Sequence, residues 1–78
     1  MLYEVKSWAS YGDDGYRREF TSRREAMKYA AAECRQLGGR GDNPKARPMY
    51  RQYPHEDAGE IARWALSGTS AGVVVYSA

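Results

Sequence analysis

The residues of this chain that could do chemistry are few. Cys34 and His55 are the single cysteine and the single histidine. Together they fall short of the four nitrogen or sulfur ligands that a zinc site usually needs. Cys34 falls on an apolar helical stripe, where a cysteine packs as a small hydrophobe. His55 stands in Pro54-His55-Glu56-Asp57, a polar turn, and reads as an exposed loop histidine. A His–Asp pair beside a serine is raw material for nucleophilic catalysis, but a triad is defined by geometry that no spacing here suggests. Asp13 and Asp14 lie between Gly12 and Gly15. They offer too few oxygens for a calcium loop and read as turn residues. Gly38-Gly39-Arg40-Gly41 follows a helix, whereas a phosphate cradle precedes one and carries Lys with Ser or Thr. Arg40-Gly41-Asp42 matches an adhesion tripeptide, a match short enough to arise by chance. No catalytic residue, metal or cofactor is therefore expected, and the chain reads as a non-enzyme.

What remains is a surface constellation of arginine and tyrosine. Tyr11 and Tyr16 flank the Gly12–Gly15 turn beside Arg17. Tyr50, Arg51 and Tyr53 share a later strand, with Arg47 before it. Tyr29, Arg35 and Arg40, with Asp13 and Asp14 of the turn, complete the candidate set. Arg and Tyr are enriched at the centres of protein interfaces because each joins large area to directed hydrogen bonds. The same side chains can also stack on bases and pair with phosphates.

These residues need elements to position them. Residues 2–9 alternate at period two, with Tyr3, Val5 and Ala9 on one side and Glu4 and Lys6 on the other. The Gly-Asp-Asp-Gly turn and a second strand at 16–21, with Phe20 inward, make a β-hairpin. Ser22-Arg23-Arg24-Glu25 fits a capping box. Met27, Ala30, Ala31, Cys34 and Leu37 then form an apolar stripe at helical spacing, which Gly38-Gly39 ends. On this reading Glu25, Tyr29, Ala32 and Gln36 face solvent. A loop at 40–46 precedes a strand at 48–53, which its flanking prolines make short or an edge. Val73-Val74-Val75 marks a buried last strand within 72–76. Residues 60–67 fit a helix through Ile61, Trp64 and Ala65, or a strand through Ala62, Trp64 and Leu66. Strand is preferred because the last strand needs an adjacent partner. The expected fold is α+β: an antiparallel sheet with one α-helix packed on one face, order ββαβββ, with ββαβαβ as the alternative. The sheet's other face is expected to be partly open, bearing charge and tyrosines.

With 78 residues the chain suits one small domain. Seven tyrosines and two tryptophans supply much of its apolar area. A net charge of +2 suits neither an acidic DNA mimic nor a strongly basic DNA coater. Charge is nevertheless uneven. Arg35, Arg40, Lys45, Arg47 and Arg51 face only Asp42 within 35–51, which makes a small nucleic-acid-binding module the alternative function. With one cysteine no internal disulfide can form, and no apolar run reaches membrane length. A cytoplasmic monomer without membrane contact is expected.

This layout in so short and cysteine-poor a chain resembles the small phage-encoded anti-CRISPR proteins that act on type I (Cascade) effector complexes. The resemblance runs over the hairpin, the helix from Ser22 and the segment ending in Val73-Val74-Val75-Tyr76, and rests on size and element order. It implies a non-enzymatic inhibitor in the host bacterial cytoplasm. Such an inhibitor binds Cas subunits and blocks target DNA binding or nuclease recruitment. The arginine–tyrosine surface would then meet acidic or mixed patches, with Asp13, Asp14, Glu56 and Asp57 meeting lysines.

Overall fold

The computed structural model describes residues 2–9, 15–37, 50–65 and 71–77. In chain order these form β1 (Tyr3–Trp8), β2 (Tyr16–Phe20), α1 (Arg23–Leu37), β3 (Tyr50–Gln52), a 3-10 turn (Glu56–Ala58), β4 (Glu60–Ala65) and β5 (Gly72–Ser77). The strands make one antiparallel sheet in the order β2-β1-β5-β4-β3, with α1 on one face. The architecture is the expected ββαβββ.

β5 explains why residues 60–65 are a strand despite their helical propensity. Val73, Val74 and Val75 are all buried, so both faces of β5 are shielded from water. Backbone groups on a shielded strand must find partners along both edges. β1 takes one edge and β4 the other. An extra residue bulges β4 at Ile61. Glu60 therefore pairs with Tyr76 while Ala62 pairs with Val75, one on each face of the sheet.

The core joins Val5, Ala62, Val73 and Val75 of the sheet to Ala26 and Ala30 of the helix. Only the two alanines of α1 are fully buried, and their small side chains let the helix backbone approach the sheet closely. Larger side chains straddle this contact, with Met27, Cys34 and Leu37 against the core and Tyr29 also packed on it. The buried stripe is thus rotated toward Tyr29 from the one the spacing suggests. Tyr29 is not a solvent-face aromatic. It is half-buried, with its ring centroid 5.3 Å from that of Phe20. At the start of α1 the Glu25 N–H donates to Ser22 Oγ over 3.4 Å, half of the expected capping box.

β1 and β2 pair antiparallel as the expected hairpin requires, with Ser7 opposite Tyr16 and Tyr3 opposite Phe20, while residues 10–14 of its turn lie outside the described residues. Gly15 enters β2 at φ +68°, and a Cβ there would lie 1.9 Å from the Ser7 carbonyl oxygen, so only glycine fits. Ala9, expected to face inward with Val5, lies beyond the end of β1 and is exposed, because the strand stops at Trp8. β3 is an edge strand over Tyr50–Gln52; of the expected 48–53, residues 48 and 49 lie outside the described residues and Tyr53 follows the strand.

Candidate interaction surface

Strand register sorts the side chains. Directly opposed residues of an antiparallel pair share a face, and successive residues alternate. Tyr3, Val5 and Ser7, with Tyr16, Arg18, Phe20, Val73, Val75, Ala62, Trp64 and Arg51 in register with them, face α1. The other face is crossed by three rows. One runs Trp8–Gly72–Ala65–Tyr50. The next runs Arg17–Lys6–Val74–Arg63–Gln52. The third runs Glu19–Glu4–Tyr76–Glu60. An aromatic row, a basic row and an acidic row therefore lie side by side. Among the described residues no helix or strand covers this face.

The rows are built by packing as well as register. Gly72 lies under the Trp8 indole, and a Cβ on it would come within 2.4 Å of Trp8 Cζ2. Val74 is buried between its register partners Lys6 and Arg63, whose aliphatic stems are the kind that cover apolar surface while the charge stays wet. Adjacent rows exchange charge. Arg17 Nε lies 3.1 Å from Glu4 Oε1. With the arginine side chain largely exposed, that pair contributes at most about 1 kcal/mol.

Among the described residues Glu60 is the most deeply placed charge, 6% exposed. Its Oε1 accepts the His55 N–H at 3.0 Å and lies 3.5 Å from Arg63 Nε, while Oε2 lies 3.6 Å from His55 Nδ1. At 3.5 Å the Arg63 contact is electrostatic, since that Nε–H makes no hydrogen bond. Arg63 Nη1 approaches both ring nitrogens of His55, at 3.0 and 2.9 Å. A neutral imidazole has one acceptor nitrogen, so at most one of these is a hydrogen bond. His55 is exposed, and its contacts pin the turn between β3 and β4 to the start of β4. Tyr76, opposite both Glu4 and Glu60, has its phenol pKa pushed up by burial and by the Glu60 carboxylate. It stays a neutral donor.

Among the described residues the candidate arginines and tyrosines do not form one patch. Arg17 and Tyr50 lie on the uncovered face, at opposite edges of the sheet. Tyr16, 76% exposed, is on the helix side of edge strand β2. Arg51 is also on the helix side, its guanidinium 4.9 Å from the Trp64 ring. Arg35 is exposed in the last turn of α1. Tyr29 is packed as described, under the Arg18 guanidinium at 5.2 Å. Strand alternation is the reason for the scatter, since neighbours in sequence such as Tyr16 and Arg17, or Tyr50 and Arg51, must part to opposite faces. Tyr11, Asp13, Asp14, Arg40 and Arg47 lie outside the described residues. What does assemble is the β3 edge, where Tyr50 is 48% and Tyr53 95% exposed. The Tyr50 hydroxyl accepts from Gln52 Nε2 at 3.4 Å.

Lys6, Arg63, Trp8 and Tyr76 belong to the uncovered face and were not candidates. Period two in β1 places Lys6 outward, but the row it joins depends on cross-strand register. Cys34 packs against the core, and burial with the neighbouring Glu33 charge pushes its thiol up to about 11, which favours the protonated form at neutral pH. Among the described residues no group of three or more His, Cys, Asp or Glu could hold a metal ion. No described helix is long and apolar enough to cross a membrane. No protein-family model matches the chain, and neither a curated protein nor a solved structure matches it.

Proposed function

We propose that this chain is a non-enzymatic binding protein whose partner is another protein. The partner class we propose is a Cas subunit of a type I CRISPR effector complex, engaged in the bacterial cytoplasm so that target DNA binding or nuclease recruitment is blocked. The observation that carries the protein-binding reading is the sheet face that no described helix or strand covers, where an aromatic row adjoins basic and acidic rows and ends in the exposed Tyr50. Opposed charges in register suit a protein surface of mixed sign, where complementary potentials select the partner and suppress others. They suit a polyanion poorly. The Glu19–Glu4 row lies beside the lysine and arginine row and repels phosphate, and Arg17 and Arg63 are already paired with glutamates. The basic segment behind the nucleic-acid alternative keeps Arg35 and Arg51 within the described residues, and Arg51 stacks on Trp64. The assignment to type I complexes is supported by the likeness in size and element order to the small phage inhibitors.

Gel filtration of the purified protein with type I effector complexes of several subtypes tests this. Co-elution with at least one is expected. Replacing Tyr50 and Tyr53 together by Ala should weaken it by about thirtyfold or more if they are interface hot spots. Absence of co-elution with every complex would remove the type I reading. A mobility shift of free DNA that fades with rising salt would move the reading to nucleic acid.

A further inference from the structure

A groove of about 410 Å³ opens between the root of the β1–β2 hairpin and the last turns of α1. Ser7, Tyr16, Tyr29, Glu33, Gln36 and Leu37 line it. At its base Ser7 is 2% exposed, and its hydroxyl donates to Glu33 Oε2 over a long 3.5 Å. Tyr29 stands one helical turn before Glu33. Burial and the Glu33 carboxylate push its phenol pKa up, so it too remains a proton donor. Glu33 makes no ion pair among the described residues. Tyr16, highly exposed on the edge strand, forms the outer wall.

A half-buried carboxylate whose partners among the described residues are hydroxyls, in a groove also lined by two tyrosines and Leu37, has the chemistry of a cation site. The carboxylate supplies a charge-assisted hydrogen bond, and the rings supply their negative faces. The chain uses the same physics on the neighbouring flank of Tyr29. There its own Arg18 guanidinium sits 5.2 Å from the Tyr29 ring and 5.5 Å from the Phe20 ring. We propose that this groove binds a cationic side chain, arginine above all, projecting from the protein partner. A planar guanidinium can bond a carboxylate edge-on while lying against an aromatic ring, which an ammonium cannot do. The proposal deepens the protein-binding reading and rests on it: one basic side chain of the partner is anchored here, while the mixed rows of the uncovered face supply area.

N-acetyl-arginine methylamide is the probe, with the neutral isostere N-acetyl-citrulline methylamide as control. Each is titrated into the 15N-labelled protein. Saturable shifts at Ser7, Tyr16, Glu33 and Gln36 are expected for the arginine probe alone. Glu33→Gln should weaken them by about tenfold, the loss of one charge-assisted hydrogen bond. Tyr16→Ala, at a position 76% exposed, should weaken them by about threefold. It keeps the test sharp should Glu33→Gln fail to fold. Equal shifts with citrulline, shifts unaltered by both substitutions, or no saturable shift at all would overturn the proposal. A positive titration without co-elution would leave the groove standing and remove the type I partner. Co-elution without a titration would do the reverse.

Discussion

Gly72→Ala is the perturbation whose size follows most directly from the geometry. Adding a methyl group to an extended strand glycine ordinarily stabilises a protein by about 0.4–1 kcal/mol, because the unfolded chain loses freedom. Here the new Cβ would sit 2.4 Å from Trp8 Cζ2 and 2.9 Å from both Cε2 and Cη2. Carbon contacts are comfortable at about 3.5–4.0 Å, so the indole must retreat by more than about 1 Å. Gly72 is buried and Trp8 half-buried, so the ring cannot retreat without losing contacts. Overpacking of this kind costs about 1–3 kcal/mol. The net effect is a destabilisation of about 1.5 kcal/mol, a fall in Tm of about 6–12 °C for a chain this short. Urea denaturation followed by circular dichroism reads the free energy, and the Trp8 indole N–H resonance reports the displacement. The decisive arm is a double-mutant cycle. In a Trp8→Leu background the obstruction is gone, so Gly72→Ala should change sign and stabilise. If it costs the same with and without the indole, the stacking of Trp8 on Gly72 does not govern this face.

Two further outcomes are expected. Glu60→Ala leaves the His55 N–H and the Arg63 guanidinium without their carboxylate. It should cost about 2 kcal/mol, a value held down by solvent access at His55. Glu60→Gln keeps an acceptor and should cost about half of that; urea midpoints at unchanged m-value check both, and a cost under about 0.5 kcal/mol for the alanine variant would contradict the placement of Glu60. Cys34 carries the second outcome: its folded thiol is held up from 9.0 to about 11, so the stability it contributes is full below pH 9 and is lost as pH climbs to about 11. Two units correspond to about 2.7 kcal/mol, which partial solvent screening reduces to about 1 kcal/mol. The tyrosines also titrate in this region, so the measurement is the difference between the parent and Cys34→Ala across pH 8 to 11. Parallel curves would show that Cys34 is not held in its protonated form.

Much of the architecture could be read from local patterns. Ser22 capping the Glu25 N–H, the alternation through Tyr3, Val5 and Lys6, and the three consecutive valines each state a local preference that the fold keeps. Residues 60–65 were settled by a non-local need, since a strand shielded on both faces requires neighbours on both edges. The orientation of α1 was not legible. Helical spacing admits any stripe that includes Ala30, and the close approach at Ala26 selects the one that draws Tyr29 onto Phe20 and Arg18.

Sequence by itself determined the types and the alternation: few groups able to catalyse, many tyrosines and arginines, and a side for each residue within its own strand. Tertiary structure alone decided which of those sides meet. Register carries Trp8 to Tyr50 and Arg17 to Arg63 across strands far apart in the chain, and it parts Tyr16 from Arg17 although they are neighbours. Likewise Ser7 and Glu33 approach one another only because α1 lies over β1. Local preference acts over a few residues, whereas a binding surface is a property of contacts between segments. Those contacts are chosen by which apolar surfaces can be buried together, and no window along the chain contains them.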